Sequence, residues 1–359
     1  MNQENGYCRS MSNEAVCGLV GVIMNKKKSL IILMIASLLA ISLTVGGEAE
    51  TVKVVNASGI YVDVPASPER IVVLPSTPIE LIYALGEEKR IVGRGVPLPA
   101  YCPSAKDIPC VASCSVGPNV EAMLDLKPDL VLMCASNGTK PTAALERLQA
   151  ASIPVLSLPS SCEPDTLLPQ IETLGLILDR QEKANEFVEF IEKYLGLIEE
   201  RTKDLGPDEK PTVYFECKEY KTVNEETPLQ HHISLAGGTN IAANQSVERP
   251  IVSSEWVLET NPDIIIVGVK GESPTEEEMR ATRDEVMSRP GLKDVKAVRD
   301  GKVYIISKKL LRGIGEPIGC LYFAKWIHPA LFEDIDPQAI HEEFLQMFFG
   351  QELEETYAY

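Results

Sequence analysis

Signatures of several chemistries are missing from this chain. It has no G-x-S-x-G, no G-x-x-x-x-G-K-[ST] and no H-E-x-x-H. Nucleophile-elbow hydrolysis, P-loop nucleotide binding and zinc-protease chemistry therefore have no motif to rest on. None of its nine cysteines forms a C-x-x-C pair, which argues against a structural zinc ribbon. Positive charge is scarce, with 34 Lys and Arg against 52 Asp and Glu and a formal net charge of -18. A nucleic-acid surface needs clustered Lys and Arg, so that class is set aside. An acidic surface suits solubility and docking onto a basic partner. After the N-terminal region no second apolar run is long enough to span a membrane.

The 359 residues, 45% of them hydrophobic, suffice for two domains that each bury a core. The N-terminal region, 1–49, reads as an export signal. Lys26, Lys27 and Lys28 form a positive n-region, residues 30–45 an apolar h-region, and Gly47-Glu48-Ala49 a cleavage site after Ala49. Met24 sits at the natural start of such a signal, and residues 1–23 read as an over-extended start or a long n-region. A signal anchor retained at residues 30–45 is the alternative. No Cys follows the h-region closely, so a lipid-anchored form is not indicated.

Beyond residue 50 the pattern alternates between short apolar runs and helical periodicity. An alternating stretch from Val52 to Val64 reads as a hairpin or edge strand. Strands are expected at 70–74, 91–93, 129–133 and 154–158, with helices at 78–85, 120–126 and 142–150 between them. This order predicts a parallel sheet with helices on both faces. From Ala184 to Ile198, apolar residues at 184, 187, 188, 191, 195 and 198 mark one face of a helix. After a linker at 208–211 the alternation restarts, with strands at 212–216, 263–267 and 302–306. Helices near 228–235 and 256–259 interleave, and a helical tail covers about 319–326 and 337–349.

The second half echoes the first. Glu121, Leu124, Pro128 and Asp129 precede an apolar strand, and so do Glu255, Leu258, Pro262 and Asp263, in the same spacing. In each copy Pro stops a helix and Asp opens a buried strand. Two copies in the same order of neighbours argue for two related lobes.

These residues resemble the periplasmic-type binding proteins that deliver ferric chelates, haem or cobalamin to ABC importers. The resemblance is carried by Arg70 to Gly93 with Glu80, Leu85-Gly86 and Ile91-Val92-Gly93, and by Asn119-Val120-Glu121 through Asp129-Leu130-Val131. In the second half it is carried by Ala236-Gly237-Gly238-Thr239-Asn240-Ile241, Ser253-Ser254-Glu255 through Pro262-Asp263, and Gly301-Lys302-Val303-Tyr304. It spans roughly residues 51–349. It implies an α/β fold of two Rossmann-like lobes, each with a parallel sheet, joined by one long rigid helix, with a ligand cleft between them. The lobes are expected at 51–180 and 211–359, the latter with the helical tail. The connecting helix and linker fall at 181–210. A rigid link implies a small hinge motion.

The resemblance also implies roles for individual residues. Glu121 and Glu255 correspond to acidic residues that pair with Arg side chains of the permease, a contact suited to reversible docking. Four cysteines, Cys114, Cys134, Cys162 and Cys217, fall in loops expected at the carboxyl ends of strands, where α/β folds bind ligands. Two readings stand for them: a thiol-lined cleft for a soft metal or metal chelate, or small buried thiols or a disulfide. Seven cysteines lie beyond residue 50, an odd number that cannot all pair within one chain. Cobalamin-binding relatives carry aromatic residues near the positions of Cys114 and Cys134, and their absence argues against a corrinoid held in the same manner. Tyr101 and Tyr220 are candidate stacking residues, and Arg312 a candidate anchor for an anionic chelate. His231 and His232 are weaker metal-ligand candidates, since adjacent residues on a helix point different ways. His328, before Pro329, reads as a structural turn residue.

The resulting expectation is a non-catalytic, extracytoplasmic substrate-binding component of an ABC importer. Its ligand would be an iron chelate or a related metal-tetrapyrrole. It would carry no resident cofactor, act as a monomer, and hand its ligand to a permease driven by an ATPase. The competing readings are a metal-cluster or haem-binding enzyme or sensor on the same two-lobed scaffold, with the cysteines as its only support, and a surface adhesion or sensing module.

Overall fold

The computed structural model describes residues 50–113, 117–134, 143–159, 164–269, 274–353 and 356–359. The first lobe opens with a hairpin of β1 (Thr51–Val55) and β2 (Tyr61–Pro65). Then follow β3 (Ile71–Val73), α1 (Ser76–Ala84), β4 (Ile91–Arg94) and a short antiparallel pair, β5 (Ala112–Ser113) with β6 (Gly117–Pro118). The lobe continues with α2 (Val120–Asp125), β7 (Leu130–Cys134), α3 (Ala143–Ala150), β8 (Val155–Leu158) and α4 (Pro164–Ile177). A single helix, α5 (Gln181–Thr202), leads to the second lobe. That lobe contains β9 (Thr212–Glu216), α6 (Leu229–Leu235), β10 (Thr239–Asn240), α7 (Ser254–Thr260), β11 (Ile264–Val269), α8 (Glu276–Ser288), α9 (Lys296–Arg299) and β12 (Val303–Ser307). Two more helices follow, α10 (Glu316–Ile327) and α11 (Pro337–Phe349).

The two halves do not share a sheet. Each builds a four-stranded parallel sheet, in the orders β4-β3-β7-β8 and β10-β9-β11-β12. In both, the first strand of the sheet lies inside, its successor lies on one edge, and the next two extend the other side. The apolar runs explain why these strands are central: Ile71–Val73 and Ile264–Val267 are buried on both faces.

The repeated Pro-Asp step has a physical basis. The Asp129 carboxylate accepts the N–H groups of Glu69 and Arg70, at 2.7 and 3.0 Å, where β3 begins. The Asp263 carboxylate accepts the Thr212 N–H at 2.8 Å and its hydroxyl at 2.7 Å, where β9 begins. Each Asp N–H also donates back, to Arg70 O and Thr212 O. The aspartate thus fixes the start of the neighbouring strand and, with it, the register. Before each Pro-Asp pair the chain turns through a left-handed residue, Lys127 at φ 49° and Asn261 at φ 45°.

Helix α5 buries Ala184, Phe187, Phe190, Ile191, Tyr194, Ile198 and Thr202. The stripe is rotated slightly from the expected one. Val188 and Leu195 are half-buried, and the aromatic residues at 190 and 194 turn inward instead. The cause is α11, whose Phe344 and Phe348 meet Phe187 and Phe190 at ring distances of 4.3 to 5.7 Å.

That packing amends the expectation for the tail, which was grouped with the second lobe. Helix α11 lies against the first lobe, where Tyr101 meets Phe344 and Phe349. The chain then returns to the second lobe. Tyr359 exchanges hydrogen bonds with Ile305 at 2.7 and 2.8 Å, and Ser307 N–H donates to Tyr357 O, which lays the last residues along β12. At the far side of the first sheet, the β1–β2 turn is held to β8 by a bond from Ala57 N–H to Ser157 O. The core follows this connectivity. The outer face of each sheet has its own apolar cluster, whereas one cluster runs from β3 and α1 through α5 to β9, α10 and α11. The shared cluster makes α5 a rigid strut of about 33 Å.

Candidate functional site

In parallel sheets the loops at the carboxyl ends of the strands form the ligand face. On the first lobe, the loop after β4 is Gly95-Val96-Pro97-Leu98-Pro99, uncharged, with a cis peptide bond at Pro97 and Leu98 exposed. On the second lobe, the ends of β9 and β12 are interlocked. The Lys308 ammonium donates to the Cys217 carbonyl, its stem passing over Gly268 of β11. A Cβ at Gly268 would lie 2.8 Å from the Phe215 ring and 3.1 Å from Lys308 Cε, so only glycine leaves room for the crossing.

The turn Cys217–Lys221 is fixed from beneath as well. Arg289 donates to both oxygens of Glu216 at 2.8 and 2.9 Å, and to both oxygens of Glu285 at 2.7 and 3.0 Å. Burial pushes the Glu216 carboxyl up, while the Arg289 guanidinium and the Tyr220 N–H and Tyr214 hydroxyl bonds oppose it. Tyr220 takes a left-handed conformation at φ 52°, and its N–H donates to Glu216. Its ring is half-buried and lies 5.3 Å from the Arg289 guanidinium, so Tyr220 forms a firm part of the wall. Beside this turn, Ile251 is 79% exposed and Val247 56% exposed, an apolar surface next to the basic residues Lys218 and Arg249.

The other candidates fall unevenly. Arg312, after β12, is exposed and in an extended conformation, open to an anion. Tyr101 is not: it is 2% exposed, its ring enclosed by His341, Phe344, Phe349 and Tyr357. The aromatic residues of the tail cover the ring, so Tyr101 belongs to the core. Cys134 is exposed at the end of β7, and Cys217 is half-buried with its thiol donating to Lys221 O at 3.2 Å. Cys102, Cys110, Cys134, Cys217 and Cys320 are free thiols. Cys114 and Cys162 lie outside the described residues, so a four-thiol set is not in view. Among the described residues, no three His, Cys, Asp or Glu side chains come together in a way that could hold a metal ion.

The histidines follow suit. His232 is fully buried on α6 against Phe323, and burial lowers its pKa to about 3, which keeps the ring neutral. His328 closes α10 and pairs through Nε2 with Gly237 O at 3.1 Å, a structural role as the sequence suggested.

Glu121 and Glu255 occupy equivalent places. Each lies in the first turn of its helix, α2 or α7, behind a side-chain cap. Asn119 accepts from Ala122 N–H, and Ser253 from Trp256 N–H. Both carboxylates are exposed and held below their ordinary pKa. For Glu121 the main cause is the Arg147 hydrogen bond, and for Glu255 it is its own backbone N–H. Arg147 of α3 pairs with Glu121, whereas Glu255 has the hydroxyls of Ser253 and Ser254 beside it.

One residue that sequence reasoning noted only as part of the resemblance stands at the junction of the lobes. Glu80 of α1 is 4% exposed. It accepts the Ala100 N–H at 2.6 Å and the Ile314 N–H of the second lobe at 3.5 Å. Its position one turn into a helix that follows a buried strand was the available signal, since an acid amid Pro78, Ile79, Leu81 and Ile82 must be buried.

Two parallel-sheet lobes on one long helix, with ligand loops at the strand ends, define a two-lobed binding protein. The chain belongs to the periplasmic binding protein family, whose model matches residues 71–310. It is 27% identical over 296 residues to an uncharacterized ABC transporter substrate-binding lipoprotein, YvrC, of Bacillus subtilis, covering 80% of this chain and 88% of that one. It is 32% identical over 200 residues to the vitamin B12-binding protein of Yersinia pestis, covering 55% and 69%. Among solved structures it resembles a TroA-like periplasmic binding protein, FepB, of Veillonella parvula, with a TM-score of 0.76, 22% identity and coverage of 86% and 99%. It also resembles the molybdate-binding protein MolA of Haemophilus influenzae, with a TM-score of 0.67, 20% identity and coverage of 85% and 100%.

Proposed function

We propose that this chain is the extracytoplasmic receptor of an ABC importer and that it captures a metal chelate, either an iron–siderophore-like complex or a metal-tetrapyrrole. The observation that carries the receptor reading is the pair Glu121 and Glu255. Two exposed carboxylates, identically placed in the two lobes, present matched negative points to a partner with two matched basic pockets. The names of the relatives, an ABC transporter substrate-binding lipoprotein and vitamin B12-binding proteins, support the same class. The enzyme alternative gains no support from the relatives, which are named as substrate-binding proteins. The ligand reading rests on the uncharged loop 95–99 of the first lobe, where Leu98 is exposed, and on Tyr220, Ile251, Lys218 and Arg312 of the second. Such surfaces suit a ligand with apolar bulk and negative charge. Titration of the purified protein with ferric citrate, a ferric catecholate, haem and cyanocobalamin, followed by intrinsic fluorescence, tests this. Saturable binding of one of them is the expected result, and four flat titrations would overturn it.

A further inference from the structure

The seam between the lobes is closed by a carboxyl group that has no ion-pair partner within 4 Å among the described residues. Glu80 projects from α1 of the first lobe toward the loop after β12 of the second. Its Oε1 accepts the Ala100 N–H at 2.6 Å, and its Oε2 is 3.5 Å from the Ile314 nitrogen. Gly313, at φ 65°, lies flat against it: a Cβ there would be 2.7 Å from Oε2. Gly315 lies as close to the Tyr101 hydroxyl, where a Cβ would be 2.2 Å away. Two glycines thus let the second lobe's backbone press onto the first, and little space remains for water around the carboxyl. The groups that face it are few. From α1 there is the Thr77 hydroxyl, from the following loop the Cys102 thiol and Tyr101, and from the loop after β12 the more distant charges of Lys309 and Arg312. His341 and Tyr357 stand one ring away, behind Tyr101.

A buried carboxylate with one strong and one long hydrogen bond is costly, whereas the neutral acid is not. We infer that Glu80 is a positioning residue for the cleft, sealing the interlobe seam as a neutral acid and loosening it as a carboxylate. Burial raises its pKa from 4.5 to about 7, against the opposing effect of the Ala100 and Ile314 N–H groups and of Arg312 and Lys309. When the seam opens, Glu80 meets water and returns toward 4.5. The sealed form therefore holds the proton more tightly. Its advantage is complete below about pH 4.5, is lost progressively as pH rises to about 7, and changes little beyond. Across that window the equilibrium for opening shifts by roughly two orders of magnitude. The lobe spacing that a ligand meets would then depend on external acidity, whatever the ligand is.

Hydrogen exchange at the amides of Ala100 and Ile314, corrected for intrinsic rates, reads the seam directly and needs no ligand. In the wild type, protection should fall by about 100-fold between pH 5 and pH 7.5. In Glu80→Gln, which cannot ionise, the profile should be flat. Identical profiles in the two proteins, or a flat one in the wild type, would overturn the inference. Should the variant fail to fold, the 13C resonance of the Glu80 carboxyl in the wild type decides. A midpoint near 7 supports the inference, and one near 4.5 refutes it.

Discussion

Asp129 and Asp263 stand 134 residues apart and do the same work: each carboxylate caps the backbone at the start of the strand beside it. Asp263 has an additional partner in Lys296, at 2.6 Å. Partial burial pushes its carboxyl up, but the Lys296 and Thr212 hydrogen bonds win and hold it below 3.8. The native state therefore favours the ionised form. The stabilisation is present above about pH 3.8 and is lost as pH falls through the lower native value. Asp263→Asn should cost about 1–3 kcal/mol at pH 7 by urea denaturation. The difference from wild type should shrink as pH falls below 3.8, and a difference that stays constant down to the acid unfolding limit would show that packing rather than charge is at stake.

The buried Glu216–Arg289 pair makes a larger claim on stability. Arg289→Met leaves Glu216 uncompensated and should cost about 3–5 kcal/mol, measured by denaturation at pH 7. The double variant Glu216→Gln/Arg289→Met should recover part of this loss, since no charge is then stranded. If the double variant is as unstable as the sum of both singles, the pair is not coupled.

For the paired carboxylates, transport and binding should separate. Glu121→Ala/Glu255→Ala should abolish uptake in reconstituted vesicles while leaving ligand affinity within about twofold. Arg147→Ala should act the other way on assembly, because Glu121 no longer has an internal partner to exchange. Normal uptake by the double variant would remove the docking role.

The thiols are expected to be bystanders. Cys134→Ser and Cys217→Ser should leave the affinity for ferric chelate, haem and cyanocobalamin unchanged within about twofold. A loss of tenfold or more, about 1.4 kcal/mol, would assign a sulfur to the ligand.

What could be read from the residues depended on how local the physics was. The buried strands, the Pro-Asp steps and the face of α5 are set by neighbours along the chain, and the sequence patterns placed them within a few residues. Two helices left no such trace. Helix α8 is polar and is announced only by the capping box of Thr275 and Glu278, and α4 carries Pro169 within it. The site was less legible. Tyr101 sits in a loop at the right end of the sheet, and only the return of α11 over the first lobe, a contact about 240 residues distant, buries it. Arg289 lies far in sequence from Glu216, so their pairing has no local signature.

The closing segment, Tyr357 to Tyr359 along β12, also bears on how the protein behaves among copies of itself. An outermost strand with unpaired N–H and C=O groups is a template on which another chain can add. Here Tyr359 occupies both bonding groups of Ile305, and on the other sheet the β1–β2 turn reaches β8 at Ser157. Apart from the Tyr357 ring, which is buried against Tyr101 and His341, these short contacts add little to the core. Their weight lies in keeping two all-parallel sheets from joining end to end at high concentration. Removal of Tyr357 to Tyr359 should thus appear first as concentration-dependent association in sedimentation, with binding affinity little altered.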